Sequence, residues 1–141
     1  AFGALGFVGA GSDVAPARRP TSALEGAVEV SFCGGAVGCG RFADGSVRCS
    51  GICTSGPYAL GLRGDGCATD PAIGTTVTGL DGMSAGDLDD AVSLSAYCGE
   101  ADEGAFCALR RRGDVVCWGI PRFLGAGRGG VASTPVRVIT D

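Results

Sequence analysis

The sequence predicts an all-β chain of short antiparallel strands, and three observations predict it. Glycine and proline are dense, the apolar residues alternate, and a segment recurs. The 141 residues hold 27 glycines and 6 prolines, nearly double the usual combined share of roughly 12 %. No stretch of a dozen residues with apolar spacing of three and four lacks an internal Gly or Pro, so long helices have little room. Yet 45 % of the residues are hydrophobic and the mean hydropathy is +0.30. Disordered chains are apolar-poor and strongly charged. Apolar material broken by frequent turns gives many short strands.

The recurring segment brings its own cysteine pair. Ala27-Val28-Glu29-Val30-Ser31 leads through Cys39 to Asp44-Gly45, Cys49 and Gly51. Ala91-Val92-Ser93-Leu94-Ser95 leads through Cys107 to Arg112-Gly113, Cys117 and Gly119. Leu-Gly steps stand at Leu5-Gly6, Leu60-Gly61 and Leu124-Gly125, each followed at the same distance by Pro16, Pro71 or Pro135. Self-similarity of this kind marks a repeat architecture. The expected division is a tail of a preceding repeat over 1–26, a first repeat over 27–90 with an acidic loop insertion at 81–90, and a second repeat over 91–141.

Within each copy the strands follow in order. Val28, Val30 and Phe32 share one face, with Glu29 and Ser31 on the other; Val92, Leu94 and Ala96 repeat the pattern. Period two is the strand signature. Asp44-Gly45, between 38–42 and 46–50, is a strong hairpin signal. A three-residue loop Ala43-Asp44-Gly45, with Gly45 left-handed, pairs Phe42 with Ser46. Counting outward, Cys39 faces Cys49. The same construction on Arg111-Arg112-Gly113 pairs Arg110 with Asp114 and sets Cys107 opposite Cys117. Opposed residues on antiparallel strands have Cβ atoms about 4.5–5.5 Å apart, closer at non-hydrogen-bonded pairs, near the span of a disulfide.

Eight cysteines are even in number and many for this length. With no His and no Cys-x-x-Cys, disulfides are favoured over a zinc site, which implies an oxidising compartment. Each hairpin bridge closes a loop of about eleven residues, worth about 3 kcal/mol in the chain-entropy model. Cys53 and Cys67 bracket one loop and would bridge it. Cys33 and Cys98 occupy equivalent places just after the first strand of each copy, and a bond between them would join neighbouring repeats. Connectivity does not follow from sequence for these four.

Phe106-Cys107-Ala108-Leu109-Arg110-Arg111-Arg112-Gly113-Asp114-Val115-Val116-Cys117-Trp118-Gly119, then Leu124-Gly125 and Thr134-Pro135-Val136-Arg137-Val138, resembles a repeat of the regulator of chromosome condensation family. The variant it resembles is disulfide-rich, secreted and bacterial in type. In the copy at 27–80, Gly40-Arg41 replaces Ala-Leu and Ser50 stands where Trp118 stands. The resemblance implies a β-propeller whose blades are four-stranded antiparallel sheets, with Trp118 packed inside its blade. Propellers close with about 4–8 blades. Two repeats and a tail are too few, so the expectation is a partial propeller: blades completed by self-association, or a piece of a longer chain. The start without Met, and an apolar 1–10 without a basic flank, suit a processed or excised product.

Chemistry is bounded by what the chain lacks. It has no His, and all 11 basic residues are Arg, so the commonest general base and any phosphate-loop lysine are missing. The glycine-rich stretch 125–130 reads as a connecting loop. Asp81, Asp87, Asp89 and Asp90 are metal candidates, since clustered carboxylates could hold calcium or do acid–base work; a solvated loop inserted between the repeats is the preferred reading. Arg110, Arg111 and Arg112 form a basic triplet at a hairpin tip and could meet an acidic partner. Tyr58, Arg122 and Phe123 join them as binding-loop candidates. No catalytic or cofactor-binding residue is assigned.

A net charge of −4 does not suit nucleic acid, which asks for a basic face. No run of about twenty apolar residues crosses a membrane. The expectation is a non-catalytic module, extracellular, cell-surface or periplasmic, that binds a protein or glycan through its loops, without cofactor. The alternatives are a structural, self-assembling unit and a calcium-binding or hydrolytic module on the 81–90 loop.

Overall fold

The computed structural model describes residues 24–33, 37–51, 64, 72–77, 87–99, 104–119 and 132–138. Eight strands follow in chain order: β1 Glu29–Cys33, β2 Val37–Arg41, β3 Val47–Gly51, β4 Ala72–Thr76, β5 Ala91–Cys98, β6 Gly104–Arg110, β7 Val115–Gly119 and β8 Ala132–Arg137. They form two four-stranded antiparallel sheets, β1-β2-β3-β4 and β5-β6-β7-β8. Among the described residues there is no helix. The chain is all-β, and the two sheets close no ring.

Both central hairpins form at their local turn signals. Phe42 N donates to the carbonyl of Ser46 at 2.9 Å, and Gly45 N to that of Phe42 at 3.0 Å. Arg110 N donates to Asp114 and Gly113 N to Arg110, both at 2.9 Å. Gly45 and Gly113 take φ of 91° and 94°, the left-handed region open to glycine. Asp44 adds an Asx turn, its Oδ1 accepting from Ser46 N at 2.9 Å and Ser46 Oγ at 2.7 Å. From these turns the register runs out to Cys39 opposite Cys49 and Cys107 opposite Cys117. Both pairs are bonded, with Cα atoms 4.1 Å apart.

The sheets stack head to tail, and register shows which faces meet. Opposed residues on paired strands share a face. Cys33, Val37, Cys39, Val47 and Cys49 line one face of the first sheet. Leu94, Phe106, Ala108, Val116 and Trp118 line the other face, in register terms, of the second. These two sets form one buried core with Val77, Leu88 and Ala91. Trp118 stacks on Phe106 at 5.9 Å between ring centroids, and both are fully buried; each is worth about 1.5–3 kcal/mol by burial.

One expectation gains a direction and two need correcting. The alternation in the first strand is present, but its apolar set, Val28, Val30 and Phe32, lies outward and exposed. Glu29, Ser31 and Cys33 turn to the second sheet instead. Alternation reveals two faces, not which one finds a neighbour. Second, Val92 does not share a face with Leu94 and Ala96. A register shift between Ala91 and Ser93 bulges it outward, and this lets both Ala91 and Leu94 be buried.

Third, Cys33 and Cys98 are not equivalent. Ser31 opposes Cys39 as Ser95 opposes Cys107, which aligns Cys33 with Tyr97. Cys98 lies one residue further on. In a strand one residue reverses the face. The offset puts Cys33 and Cys98 on the two faces that meet. There they are bonded, with Cα atoms 5.3 Å apart.

Candidate functional site

The basic triplet sits on the β6–β7 hairpin, and its surroundings organise it. Arg110, the last residue of β6, is mostly buried and directs Nε to Asp90 Oδ1 at 2.7 Å. The Arg111 amide donates to the Asp90 carbonyl at 2.8 Å. The turn is therefore tied, by backbone and side chain, to the segment that leads into β5. Arg112 grips Asp114 with two parallel bonds, Nε to Oδ1 at 2.6 Å and Nη2 to Oδ2 at 2.7 Å. Arg137 of β8 brings Nε to within 3.3 Å of Asp114 Oδ2, and Arg110 Nη1 lies 3.7 Å from the same oxygen.

Asp114 is thus a hub for three guanidinium groups. The Arg112 hydrogen bond, aided by the charges of Arg110 and Arg112, holds its carboxyl below the usual aspartate range against a smaller opposing effect of burial. At the other hairpin the Ser46 amide and hydroxyl do the same for Asp44. Exposed ion pairs stabilise by only about 0–1 kcal/mol each. Their effect here is to set geometry: side chains that would otherwise sweep freely are held around one carboxylate, with Arg111 and Arg112 at the solvent side.

The acidic candidates part company. Asp87, Asp89 and Asp90 are described, and the segment holding them is a crossing piece between the sheets. Val47 N donates to the Leu88 carbonyl at 3.2 Å, and Leu88 N to the Val77 carbonyl at 2.8 Å. Leu88 is fully buried. Ala91 N donates to the carbonyl of Gly45 at 3.0 Å, so the segment lies across the tip of the first hairpin. Asp90 is engaged by Arg110. Among the described residues no three acidic or thiol groups gather as metal ligands. Asp81, Tyr58, Arg122, Phe123 and the Cys53–Cys67 pair lie outside the described residues.

Two participants were not singled out in the sequence. Asp114 was findable, because the hairpin register already sets it opposite Arg110. Arg137 was not: it arrives from β8, in register with Val116, and only the assembled sheet brings it near. Arg112 already places both arms of its fork on Asp114 and Arg110 answers Asp90, so what the cluster can offer an anionic group is positive charge at the solvent side of the tip.

Among the described residues no helix is long and apolar enough to cross a membrane. The three bonded cysteine pairs fit an oxidising compartment, extracellular or periplasmic. Compared with known proteins, the chain matches no protein-family model and no curated protein.

Proposed function

We propose that this chain is a non-catalytic, secreted or cell-surface module of propeller-type sheets that binds an acidic protein or glycan through the β6–β7 hairpin tip. The observation that carries the reading is the arginine cluster around Asp114, mounted on a hairpin stapled by Cys107–Cys117. A stapled ribbon presents its tip in one conformation, so little ordering entropy is lost when a partner docks. An overall acidic chain that presents Arg111 and Arg112 at a hairpin tip also orients an acidic partner toward that tip. A calcium-binding or hydrolytic role on the acidic segment is disfavoured, because Asp90 already answers Arg110 and Leu88 anchors the segment in the core.

The test is capture of partners from a secreted fraction by the immobilised oxidised protein, followed by titration of the captured species. Wild type is expected to bind with an affinity that falls as salt rises. Arg111→Ala combined with Arg112→Ala is expected to weaken binding at least tenfold while far-ultraviolet dichroism stays unchanged. Equal binding by the double variant would overturn the assignment of the tip.

A further inference from the structure

The described residues hold three sulfur bonds, and one of them crosses between the sheets. Cys39–Cys49 and Cys107–Cys117 each staple a hairpin within its own sheet. Cys33–Cys98 joins β1 to β5, an edge strand of each sheet. The three bonds also differ in access. Cys39 and Cys49 are fully buried and Cys117 is nearly so, whereas Cys98 is exposed and its partner Cys33 is buried. The bond between the sheets is thus the one that turns a cysteine to solvent.

The two ends of the seam are held differently. Where β5 begins, the ties are backbone hydrogen bonds: Ala91 N to the Gly45 carbonyl at 3.0 Å, Val47 N to the Leu88 carbonyl at 3.2 Å, and Arg111 N to the Asp90 carbonyl at 2.8 Å. Leu88, fully buried, sits among them. Together they lash the connecting segment to a hairpin of each sheet. Where β5 stops, about 20 Å further along an extended strand, the tie is Cys33–Cys98. Between the two lies Glu29, whose Oε2 accepts from the Leu94 amide at 3.0 Å. The joint core reaches the sulfur end of the seam: Cys33 pairs with Val37 and Ala96 with Phe106, and Cys33, Val37 and Phe106 are buried in that core. One end is a hinge made of the chain itself; the other is a clasp.

We propose that Cys33–Cys98 is a thiol–disulfide exchange site, a clasp that a small dithiol opens so that the sheets part at that end while the Leu88–Ala91 hinge stays closed. One thiolate of the dithiol attacks Cys98 Sγ, on the exposed side of the bond. The bond to Cys33 breaks, its electron pair leaves on Cys33 Sγ, and that sulfur takes up a proton. The second thiolate of the dithiol then attacks its own sulfur in the mixed disulfide and releases the Cys98 thiolate, which takes up the second proton. The dithiol departs as a cyclic disulfide, and the protein has gained two electrons. With the clasp open, the bond from Leu94 to Glu29 is the next tie along the seam, and Val37 and Phe106 gain access to solvent. The site is separate from the arginine tip, which is tied through Asp90 to the hinge end.

The test follows backbone amide exchange by nuclear magnetic resonance in the full chain, oxidised and after a limiting dose of dithiothreitol, with peptide mass mapping to identify the pair that has opened. Leu94 reports on the seam, because its amide bonds across it. Ala91 and Arg111 report on the hinge. When Cys33–Cys98 alone is open, exchange at Leu94 is expected to accelerate at least about tenfold. Ala91 and Arg111 are expected to keep their rates, and Trp118 its near-ultraviolet dichroism. Oxidised glutathione is expected to close the bond and restore protection at Leu94. A Leu94 amide that stays protected after the bond has opened overturns the proposal, since the bond then clasps nothing. So does acceleration of Ala91 and Arg111 along with Leu94, which is loss of the whole stack rather than its opening at one end. Opening of Cys39–Cys49 or Cys107–Cys117 before Cys33–Cys98 overturns it as well.

Discussion

Glu29 and Leu94 are joined across the two sheets: the Leu94 amide donates to Glu29 Oε2 at 3.0 Å. The same oxygen accepts from Arg41 Nε at 2.8 Å. Strand β5 is an edge, and alternate amides of an edge strand point away from its sheet without a ladder partner. Glu29 supplies that partner from the neighbouring sheet. Its side chain, on the face of β1 that carries Ser31 and Cys33, ties β1 to β5 beside the Cys33–Cys98 bond.

Glu29→Ala leaves a part-buried amide and a part-buried guanidinium without this acceptor, and a loss of about 1–3 kcal/mol is expected. Glu29→Gln keeps an acceptor and loses only the charge, so it should cost less than half as much. Urea unfolding of both variants measures this. If the two lose stability equally, the ion pair to Arg41 is the stabilising element and the cross-sheet bond is incidental.

The Cys33–Cys98 bridge should be the first to open. Cys98 is exposed, whereas Cys39 and Cys49 are fully buried, and exchange needs access by a thiolate. A limiting amount of reductant followed by alkylation and peptide mass mapping should label Cys33 and Cys98 before the hairpin cysteines. Removing this bridge by a Cys33→Ser, Cys98→Ser double change should also cost more than removing a hairpin bridge, about 4 against about 3 kcal/mol, because its sequence separation is 65 rather than 10. Labelling of Cys39 and Cys49 first would show that the exposure difference does not govern their chemistry.

Gly45 and Gly113 share a turn and differ in surroundings. Alanine at either position meets the left-handed penalty, about 1–2 kcal/mol. A Cβ on Gly113 meets nothing within 4 Å, but one on Gly45 would stand 2.5 Å from the Asp89 carbonyl oxygen. Gly45→Ala must therefore also push back the segment that leads into β5, and disturb the bond from Ala91 N to the Gly45 carbonyl. It is expected to lower stability by at least about 1 kcal/mol more than Gly113→Ala. Thermal melts of the two variants, taken side by side, check the difference; equal melts would mean that the crossing segment yields freely.

Much of the fold was legible because its signals are local. A Gly at the third place of a tight turn sets the loop, the loop sets the register, and the register sets which cysteines share a rung. Each step spans a few residues, so the hairpins of residues 37–51 and 104–119 could be read without the rest. The candidate site was legible only at its tip. Arg110, Arg111 and Arg112 announce themselves, but Arg137 comes from another strand, and Asp90 from a segment whose charge suggested a solvated loop. Its buried Leu88 was the contrary sign. The Cys33–Cys98 bond was anticipated, but the two positions are not equivalent: a one-residue offset looks trivial in a linear alignment and is decisive in a pleated strand.

What the sequence determined by itself was the ribbon: strands, turns, and the sulfur rungs within each hairpin. Only the tertiary structure decided which side of each ribbon became interior, and so put valines outside, a glutamate between the sheets and two misaligned cysteines in contact. The reason is that turn geometry and strand alternation act between near neighbours. The choice of buried face depends on surface supplied by residues some sixty positions away.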